Sequence, residues 1–330
     1  MGVETSSFAA GTGPLPAATS RDYVALARVD HWVKHVFIVP GIVLSCVLLD
    51  RSPLGSLAAI GLGFAAAALV ASANYVLNEW LDAGHDRHHP TKSGRPAVAK
   101  RLSVPVVWAE YLLLAAGGLG LAAVVSPLFL ATTALFFVSG LIYNVPPVRT
   151  KETAYLDVIS ESLNNPLRLT LGWAMIDSTS LPPGSLLLGF WAGGAFLMAL
   201  KRLAEYRSAQ AAGTLDSLAR YRRSFQVYSG NTLLLSAFLY AQFAAFALAV
   251  FLVKYRIEYL LSMPLFALLF VAYLRVGLKR DSSAQTPERL FRERGLMGVV
   301  VLLVVALAIL TFVDLPFLHQ LTDPHYIRLR

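Results

Sequence analysis

The sequence predicts an all-α, polytopic membrane protein with about nine transmembrane helices. Of its 330 residues, 56% are hydrophobic and only 15% are charged, whereas a soluble domain averages about 25% charged residues. Apolar stretches recur along the whole chain, each close to the ~20 residues needed to cross a hydrocarbon layer of ~30 Å. This composition excludes a disordered chain and argues against an ordinary cytosolic enzyme.

The predicted spans follow one another closely, and no stretch between them is large enough for a soluble domain. They cover residues 33–49, 55–77, 103–123, 126–144, 154–176, 184–204, 231–253, 258–277 and 295–314. Residues 1–20 are rich in Gly, Ala, Ser, Thr and Pro and lack the apolar core of a signal peptide, so we expect a flexible N-terminal tail. Residues 21–330 are then expected to form a single transmembrane domain.

The charge distribution predicts the orientation of the chain. It has 28 Lys and Arg against 20 Asp and Glu, a net charge of +8. Of these cations, 22 precede the first span or surround the loops that follow even-numbered spans, and five lie on the opposite side. Because cytoplasmic loops are enriched in Lys and Arg, we expect the N-terminus and these loops on the cytoplasmic side of a plasma (inner) membrane. The positive excess therefore indicates topology rather than binding of nucleic acid.

The end of the second span carries a polar motif. On a helix, Asn78, Asp82 and Asp86 are spaced i, i+4, i+8 and share one face, with Glu79 beside them. Carboxylates stacked in this way repel one another unless a cation neutralises them. Oxygen ligands favour a hard ion such as Mg²⁺, which binds through one or two carboxylates and substrate phosphates. The alternative is a solvated helix end that merely carries charge.

Basic residues follow this acidic face directly. Lys92 and Arg95 suit a phosphate, Arg as a bidentate fork and Lys as a point charge. Positive-inside topology alone is the alternative explanation. Three nearby histidines, His85, His88 and His89, argue only weakly for zinc because no thiolate accompanies them.

The fifth span contains a second polar face. Asp157, Glu161, Asn164 and Arg168 are spaced by four, three and four residues and form one stripe on a helix. Such residues cannot face lipid cheaply, so we expect them to face the bundle interior or a wet cavity. Two acidic faces indicate two metal positions, or one metal and an orienting base. An internal ion pair between Arg168 and one of the two carboxylates is the alternative.

Other candidates lie at the remaining helix ends and within the second span. Arg28 and Lys34 share a helical face that suits a lipid-borne phosphate. Lys201 and Glu205 are spaced i, i+4, a spacing also typical of a surface salt bridge. The basic run 220–223 fits a membrane-surface patch. Besides the two acidic faces and the basic residues that follow the first, the candidates are Arg28, Lys34, Asn74, Tyr143, Lys151, Lys201, Arg202 and Glu205.

These motifs together resemble the UbiA superfamily of intramembrane prenyltransferases. The first family signature, Asn-Asp-x-x-Asp-x-x-x-Asp, reads Asn78-Glu79-x-x-Asp82-x-x-x-Asp86 in this chain, with Glu in place of the first Asp. The second acidic signature matches the polar face of the fifth span. The resemblance covers nearly the whole chain and implies a UbiA-type bundle of about nine helices around a central polar cavity.

Three stretches further resemble the polyprenyl-phosphate phosphoribosyltransferase branch, which includes decaprenyl-phosphate phosphoribosyltransferases. They read Arg28-Val-x-x-Trp32-x-Lys34, Asp86-x-x-His89-Pro90-x-Lys92-x-x-Arg95-Pro96 and Lys201-Arg202-x-x-Glu205. This likeness implies transfer of a 5-phosphoribosyl group from phosphoribosyl diphosphate to polyprenyl phosphate, with release of pyrophosphate. One alternative is transfer of a prenyl group from a prenyl diphosphate to an aromatic or other small acceptor. Another is a transporter or lipid-binding protein.

The motifs and the resemblance together assign roles to these residues, with Mg²⁺ as cofactor. Catalytic roles fall to Asp82, Asp86, Asp157 and Glu161. Metal ligands are expected among Asn78, Glu79, Asp82, Asp86 and Asp157. Substrate binding is expected of Arg28, Lys34, Asn74, Asn78, Lys92, Arg95, Tyr143, Lys151, Arg168, Lys201, Arg202 and Glu205. Expected partners are polyprenyl phosphate, phosphoribosyl or prenyl diphosphate, membrane lipid and a further copy of the chain, but no nucleic acid.

Overall fold

The computed structural model describes residues 15–87, 92–279, 282–285 and 287–319. These residues form α-helices and short 3₁₀ helices and contain no β-strand, so the all-α prediction is confirmed. Most of the expected N-terminal tail, residues 1–14, lies outside the described residues. Residues 15–19 run beside Arg101, whose amide donates to the carbonyl oxygen of Pro16 at 2.9 Å.

The chain folds as a succession of helices joined by short turns. In order they are α1 (Ser20–Leu26), α2 (Val39–Leu49), α3 (Leu57–Asp86), α4 (Pro96–Ala99), α5 (Val104–Val125), α6 (Pro127–Asn144), α7 (Leu156–Ser162), α8 (Asn164–Ile176), α9 (Gly184–Ala211), α10 (Leu215–Tyr221), α11 (Gly230–Tyr255), α12 (Met263–Gly277), α13 (Arg294–Phe312) and α14 (Pro316–His319). A 3₁₀ helix, Val29–Ile38, joins α1 to α2.

Eight helical stretches in the described residues are long and apolar enough to cross a membrane. They are Ser20–Leu49, Pro53–Asp86, Val104–Val125, Pro127–Asn144, Gly184–Ala211, Gly230–Tyr255, Ile257–Gly277 and Arg294–Phe312. Each overlaps one of the predicted spans. Large apolar side chains such as Phe246 and Phe312 are exposed on them, as contact with lipid requires.

The remaining predicted span, 154–176, is built differently. It comprises α7 and α8, each shorter than a membrane span, with Leu163 between them. Pro166 lacks the amide hydrogen that would bond the carbonyl oxygen of Ser162, and Nδ2 of Asn165 donates to that oxygen instead, at 3.2 Å. Eight full-length helices and this broken pair therefore replace the nine continuous spans expected.

Helices α2 and α8 approach each other closely at two glycines. A Cβ on Gly41 would lie 2.0 Å from the carbonyl oxygen of Leu169, and one on Gly172 would lie 2.1 Å from that of Ile38. Neither position has room for a side chain, so the backbones pack directly, as small residues permit in membrane bundles. This contact fixes the position of α8 and its polar residues.

Helix α3 brings the first acidic motif into the bundle. It has 30 residues and continues to Asp86, beyond the end at residue 77 that hydropathy predicts, because its hydrogen bonds continue where its apolar pattern stops. It packs against α5, α6 and α8, while α7 packs against α9. Polar side chains from α3, α6, α7, α8 and α9 therefore face one another within the bundle.

Candidate active site

A cavity of about 330 Å³ lies among these helices. Of the seventeen residues to which the sequence assigns a catalytic, metal-binding or substrate-binding role, eleven line it: Arg28, Lys34, Asn74, Asn78, Asp82, Lys92, Arg95, Tyr143, Glu161, Arg168 and Lys201. Six others are not among its lining residues. Asp86, Lys151, Asp157, Arg202 and Glu205 are partnered with lining residues or with one another, and Glu79 accepts from the amide of Ala97. The cavity thus gathers polar residues from segments that are far apart in sequence.

Protein cations neutralise the acidic face of α3. Oδ1 of Asp82 accepts from Nζ of Lys151 at 2.5 Å and from Nη2 of Arg149 at 2.9 Å. Lys151 also donates to Oδ1 of Asn78 at 3.0 Å and to Oδ1 of Asn144 at 2.9 Å. The repulsion that the sequence indicates is therefore relieved by side chains from the turn after α6.

Asp86 occupies the next position along this face and is fully buried. Its Oδ2 accepts from Nη1 of Arg95 at 2.7 Å. Its Oδ1 is buried without a hydrogen-bond partner among the described residues. Glu79 is also buried, and its Oε1 accepts a long bond, 3.5 Å, from the amide of Ala97.

Arg202 pairs with both carboxylates of the second acidic face and with Glu205. Nε of Arg202 lies 2.9 Å from Oδ2 of Asp157, Nη2 lies 3.0 Å from Oε2 of Glu161, and Nη1 lies 3.1 Å from Oε2 of Glu205. The side chain of Arg202 is only 2% exposed. The internal ion pair considered as an alternative therefore exists, but its cation is Arg202 from α9 and not Arg168. Glu205 likewise pairs with Arg202 rather than with Lys201.

Asp157 and Glu161 have different surroundings. Asp157 is fully buried, and it accepts from Tyr228 at 2.5 Å and from Ser224 at 3.2 Å in addition to Arg202. Glu161 reaches the cavity, where it accepts from the hydroxyl of Tyr143 at 2.7 Å. The structure therefore brings Glu161, but not Asp157, to the cavity wall.

Residues from α10 and the turn after it line one side of the cavity. Nζ of Lys92 donates to the hydroxyl of Tyr221 and lies 4.5 Å from the centre of its ring. Burial and the charges of Arg222 and Arg95 lower the pKa of Lys92 to about 8. Nη1 of Arg222 donates to the hydroxyl of Tyr143 at 3.2 Å.

Arg149 and Arg222 belong to the site although the sequence motifs do not predict them there. The sequence places Arg222 in a surface patch, but it lines the cavity, because the short helix α10 turns the chain back over α3. Arg149 stands in the left-handed region with φ of 30°, which directs its side chain to Asp82. The available signal for Arg149 was its position two residues before Lys151 in one turn.

The 3₁₀ helix Val29–Ile38 and the turn before it contribute cations. Arg28 and Lys34 both contact His31, Arg28 at Nε2 and Lys34 at Nδ1, the latter at 2.9 Å. All three line the cavity. Arg28 also stands in the left-handed region, with φ of 50°.

The cavity carries a large excess of positive charge. Among the lining residues that the structure describes, seven are Lys or Arg and two are Asp or Glu. The seven are Arg28, Lys34, Lys92, Arg95, Arg168, Lys201 and Arg222, and the two are Asp82 and Glu161. A ligand with several anionic groups would balance this charge.

The donor atoms on α3 also fit Mg²⁺. Within the described residues, no three His, Cys, Asp or Glu side chains form a preassembled metal cluster. Mg²⁺ does not require one, because it binds through one or two carboxylates and takes further oxygens from substrate phosphates and water. The buried, unpartnered Oδ1 of Asp86, with Asp82 and Asn78 one and two turns earlier, supplies such a set. His88 and His89 lie outside the described residues.

Comparison with known proteins gives a consistent family match. The profile described as "UbiA prenyltransferase family" matches residues 38–295. Nodulation protein NoeC of Azorhizobium caulinodans is 33% identical over 201 residues, which are 60% of this chain and 62% of that protein. The uncharacterized protein y4nM of Sinorhizobium fredii is 29% identical over 152 residues, 46% of this chain and 28% of that protein. The chain thus spans less than two thirds of either relative.

Solved structures share the fold at low sequence identity. A UbiA homologue from Archaeoglobus fulgidus bound to GPP and Mg²⁺ superposes with a TM-score of 0.65 and 20% identity, covering 88% of this chain and 100% of that one. The apo structure of a UbiA homologue from Aeropyrum pernix K1 gives a TM-score of 0.59 and 15% identity, covering 86% and 98%.

Proposed function

Because the chain belongs to the UbiA prenyltransferase family, we propose that it is a Mg²⁺-dependent membrane transferase acting on phosphoribosyl diphosphate. It moves the 5-phosphoribosyl group to polyprenyl phosphate and releases pyrophosphate. The family match supports a membrane transferase. The phosphoribosyl donor and the phosphate acceptor are the finer part of the proposal.

The phosphoribosyl donor and the phosphate acceptor are proposed because of the charge of the cavity, which has seven basic and two acidic residues among its described lining. Phosphoribosyl diphosphate brings a diphosphate and a phosphate monoester, and polyprenyl phosphate brings a third anionic group. A prenyl diphosphate with an uncharged aromatic acceptor brings one diphosphate only. The excess of cations therefore favours the phosphoribosyl reaction, as does the motif from Asp86 to Pro96.

The leaving diphosphate is proposed to lie beside the α3 face. Lys92, Arg95 and Lys201 are placed to stabilise the negative charge that develops on it as the bond to ribose C1 breaks. Asp82, Asp86 and Asn78 would hold Mg²⁺, and a metal there would supply further positive charge to stabilise the leaving diphosphate. The electron pair of the breaking C1–O bond leaves with pyrophosphate.

The acceptor requires little activation. The polyprenyl phosphate is ionised at neutral pH, so its oxygen attacks C1 without a strong general base. Bound substrates that fill the cavity would limit the access of water, which would otherwise capture the cation-like ribose. Asp157 and Arg202 touch no part of the cavity, and we assign them to positioning Glu161 and Tyr143.

The experiment that tests the proposal offers both reactions to one purified protein. Radiolabelled phosphoribosyl diphosphate is supplied with polyprenyl phosphate, and prenyl diphosphate is supplied separately with aromatic acceptors. We expect lipid-linked label only in the first reaction, lost with chelator and restored by Mg²⁺. Asp82→Asn should abolish it, whereas Asp216→Asn, at an exposed position of α10, should not. Product in the second reaction alone would contradict the phosphoribosyl assignment.

Prenyl transfer is the second candidate function. Its support is the ligands of two similar structures, UbiA homologues from Archaeoglobus fulgidus bound to GPP and Mg²⁺ and to DMAPP and Mg²⁺. In this reaction the same α3 face would hold the diphosphate of a prenyl donor. The paired assay separates the two candidates.

A further inference from the structure

Within the part of the chain that the structure describes, Arg168 lacks the carboxylate partner that several other cations in and around the cavity have. Arg95, Arg149, Lys151 and Arg202 each pair with an Asp or Glu. Among the described residues, no carboxylate lies within ion-pair distance of Arg168, and its Nε is buried without a hydrogen-bond partner. Its guanidinium carbon instead lies 5.5 Å from the centre of the Phe136 ring.

A guanidinium in this position carries a free-energy cost. Arg168 lies in the middle of α8, within the predicted fifth span, where an uncompensated charge is expensive. The cation–π contact with the Phe136 ring offsets only part of that cost. A counter-charge is therefore expected to arrive with a ligand, since Arg168 lines the cavity.

A second unpartnered polar atom lies at the same depth. Oδ1 of Asn74 is buried without a hydrogen-bond partner, while its Nδ2 donates to the carbonyl oxygen of Phe136 at 3.4 Å. Asn74 and Arg168 thus flank the same phenylalanine and both line the cavity. Asn74 precedes Asp82 by two helical turns, about 12 Å along α3 at about 1.5 Å per residue. This subsite is therefore separate from the diphosphate position at Asp82 and Asp86.

Two lysines, Lys151 and Lys34, are also candidates for binding a phosphate, and both have protein partners. Lys151 is bonded to Asp82, Asn78 and Asn144. Lys34 contacts Nδ1 of His31 at 2.9 Å. Arg168 is the candidate whose bidentate fork is not occupied by a carboxylate.

We propose that Arg168, with Asn74, forms a subsite for a phosphate monoester, and that this monoester is the phosphate of the lipid acceptor. The assignment rests on the proposed function, in which two phosphate monoesters enter the cavity, one on the acceptor and one on ribose C5 of the donor. The acceptor is favoured because the donor's diphosphate occupies the opposite end of the cavity. In the singly ionised form of that phosphate, the remaining P–OH group donates a hydrogen bond to the oxygen of Asn74.

The test measures binding rather than turnover. Thermal unfolding of the detergent-purified protein is followed with increasing farnesyl phosphate, farnesol or phosphoribosyl diphosphate. We expect wild type to bind farnesyl phosphate more tightly than farnesol. In Arg168→Gln the preference for farnesyl phosphate over farnesol should be smaller than in wild type by about tenfold or more, because a charge-assisted hydrogen bond is lost. The affinity of this variant for phosphoribosyl diphosphate should stay within about twofold of wild type. Arg168→Lys, which keeps the charge but not the fork, should fall between them.

The stability of the ligand-free protein separates binding from structure. Because no carboxylate of the described residues forms an ion pair with Arg168, Arg168→Gln should unfold at a temperature no lower than wild type. Arg275→Gln, at an exposed position of α12 where no described carboxylate pairs with the arginine, is the matched control. Clear destabilisation or failure to fold of Arg168→Gln would overturn the inference by assigning the residue a structural role.

The remaining outcomes are also decisive. Loss of phosphoribosyl diphosphate binding with farnesyl phosphate binding retained would assign the subsite to the donor and overturn the acceptor assignment. Unchanged farnesyl phosphate binding in Arg168→Gln, with wild type active, would defeat this inference alone. Wild type without phosphoribosyl transfer, but with Arg168-dependent binding of farnesyl phosphate, would defeat the proposed function and support the subsite.

Discussion

Lys201 and Arg202 are neighbours in α9 with opposite surroundings. Arg202 is buried against three carboxylates, while Lys201 lines the cavity. Removing one member of a buried ion network leaves charges uncompensated, so Arg202→Met should lower the free energy of unfolding by about 3–5 kcal/mol. Lys201→Met should change it by less than about 1 kcal/mol and weaken donor binding. Equal stability of the two variants in denaturant unfolding would contradict this division of roles.

Lys92 predicts a pH dependence of donor binding. Its pKa is lowered to about 8 because burial and the charges of Arg222 and Arg95 outweigh Glu205 and Asp86. The protonated fraction then falls from about nine-tenths at pH 7 to about one-tenth at pH 9. Since only the protonated form attracts a diphosphate, KM for the donor should rise over this range. In Lys92→Arg, which stays charged, the rise should be much smaller. The same rise in both proteins would assign it to another group.

Helical spacing was enough to predict which polar residues meet, but not which ones pair. Asn78 and Asp82 reach the cavity, as a shared helical face implies. The partner of Asp157 could not be predicted, because Arg202 is 45 residues away and belongs to another helix. A carboxylate motif alone also cannot distinguish a metal ligand from half of an ion pair. That distinction depends on packing between helices.

Helices α2 and α8 pack so closely that neither Gly41 nor Gly172 has room for a side chain. Gly172→Ala would place a methyl group against the backbone of the neighbouring helix, and overpacking of this kind costs about 1–3 kcal/mol. Gly61→Ala is the matched control, because its Cβ would meet no atom within 4 Å. It should leave the free energy of unfolding unchanged or raise it by up to about 1 kcal/mol. Thermal unfolding in detergent compares them, and a stable Gly172→Ala would show that the helices can separate without cost.

Hydropathy located the helices but misplaced some of their ends. The apolar pattern of α3 stops near residue 77, whereas its backbone hydrogen bonds continue to Asp86. The break between α7 and α8 depends on Pro166 and on the amide of Asn165, and an average over 20 residues does not register it. Both differences occur where polar residues enter the cavity.

At the scale of the whole molecule, the positive-inside pattern predicts that α10 and the cavity side lie in the cytoplasm. Cys46 is the only cysteine, so Cys46→Ala gives a background for single-cysteine labelling. An impermeant maleimide should label Ser178→Cys, an exposed position between α8 and α9, in intact cells. It should reach Asp216→Cys, exposed on α10, only after permeabilisation. The reverse pattern would invert the orientation.

The proposed function requires that the basic cavity bind phosphoribosyl diphosphate for transfer to a lipid phosphate. A structure of the protein with phosphoribosyl diphosphate and Mg²⁺ tests it most directly. We predict density for the diphosphate between Asp82 and Asp86 on one side and Lys92 and Arg95 on the other, with the ribose within the cavity. A cavity that excludes phosphoribosyl diphosphate while a prenyl diphosphate occupies the same position would contradict the claim.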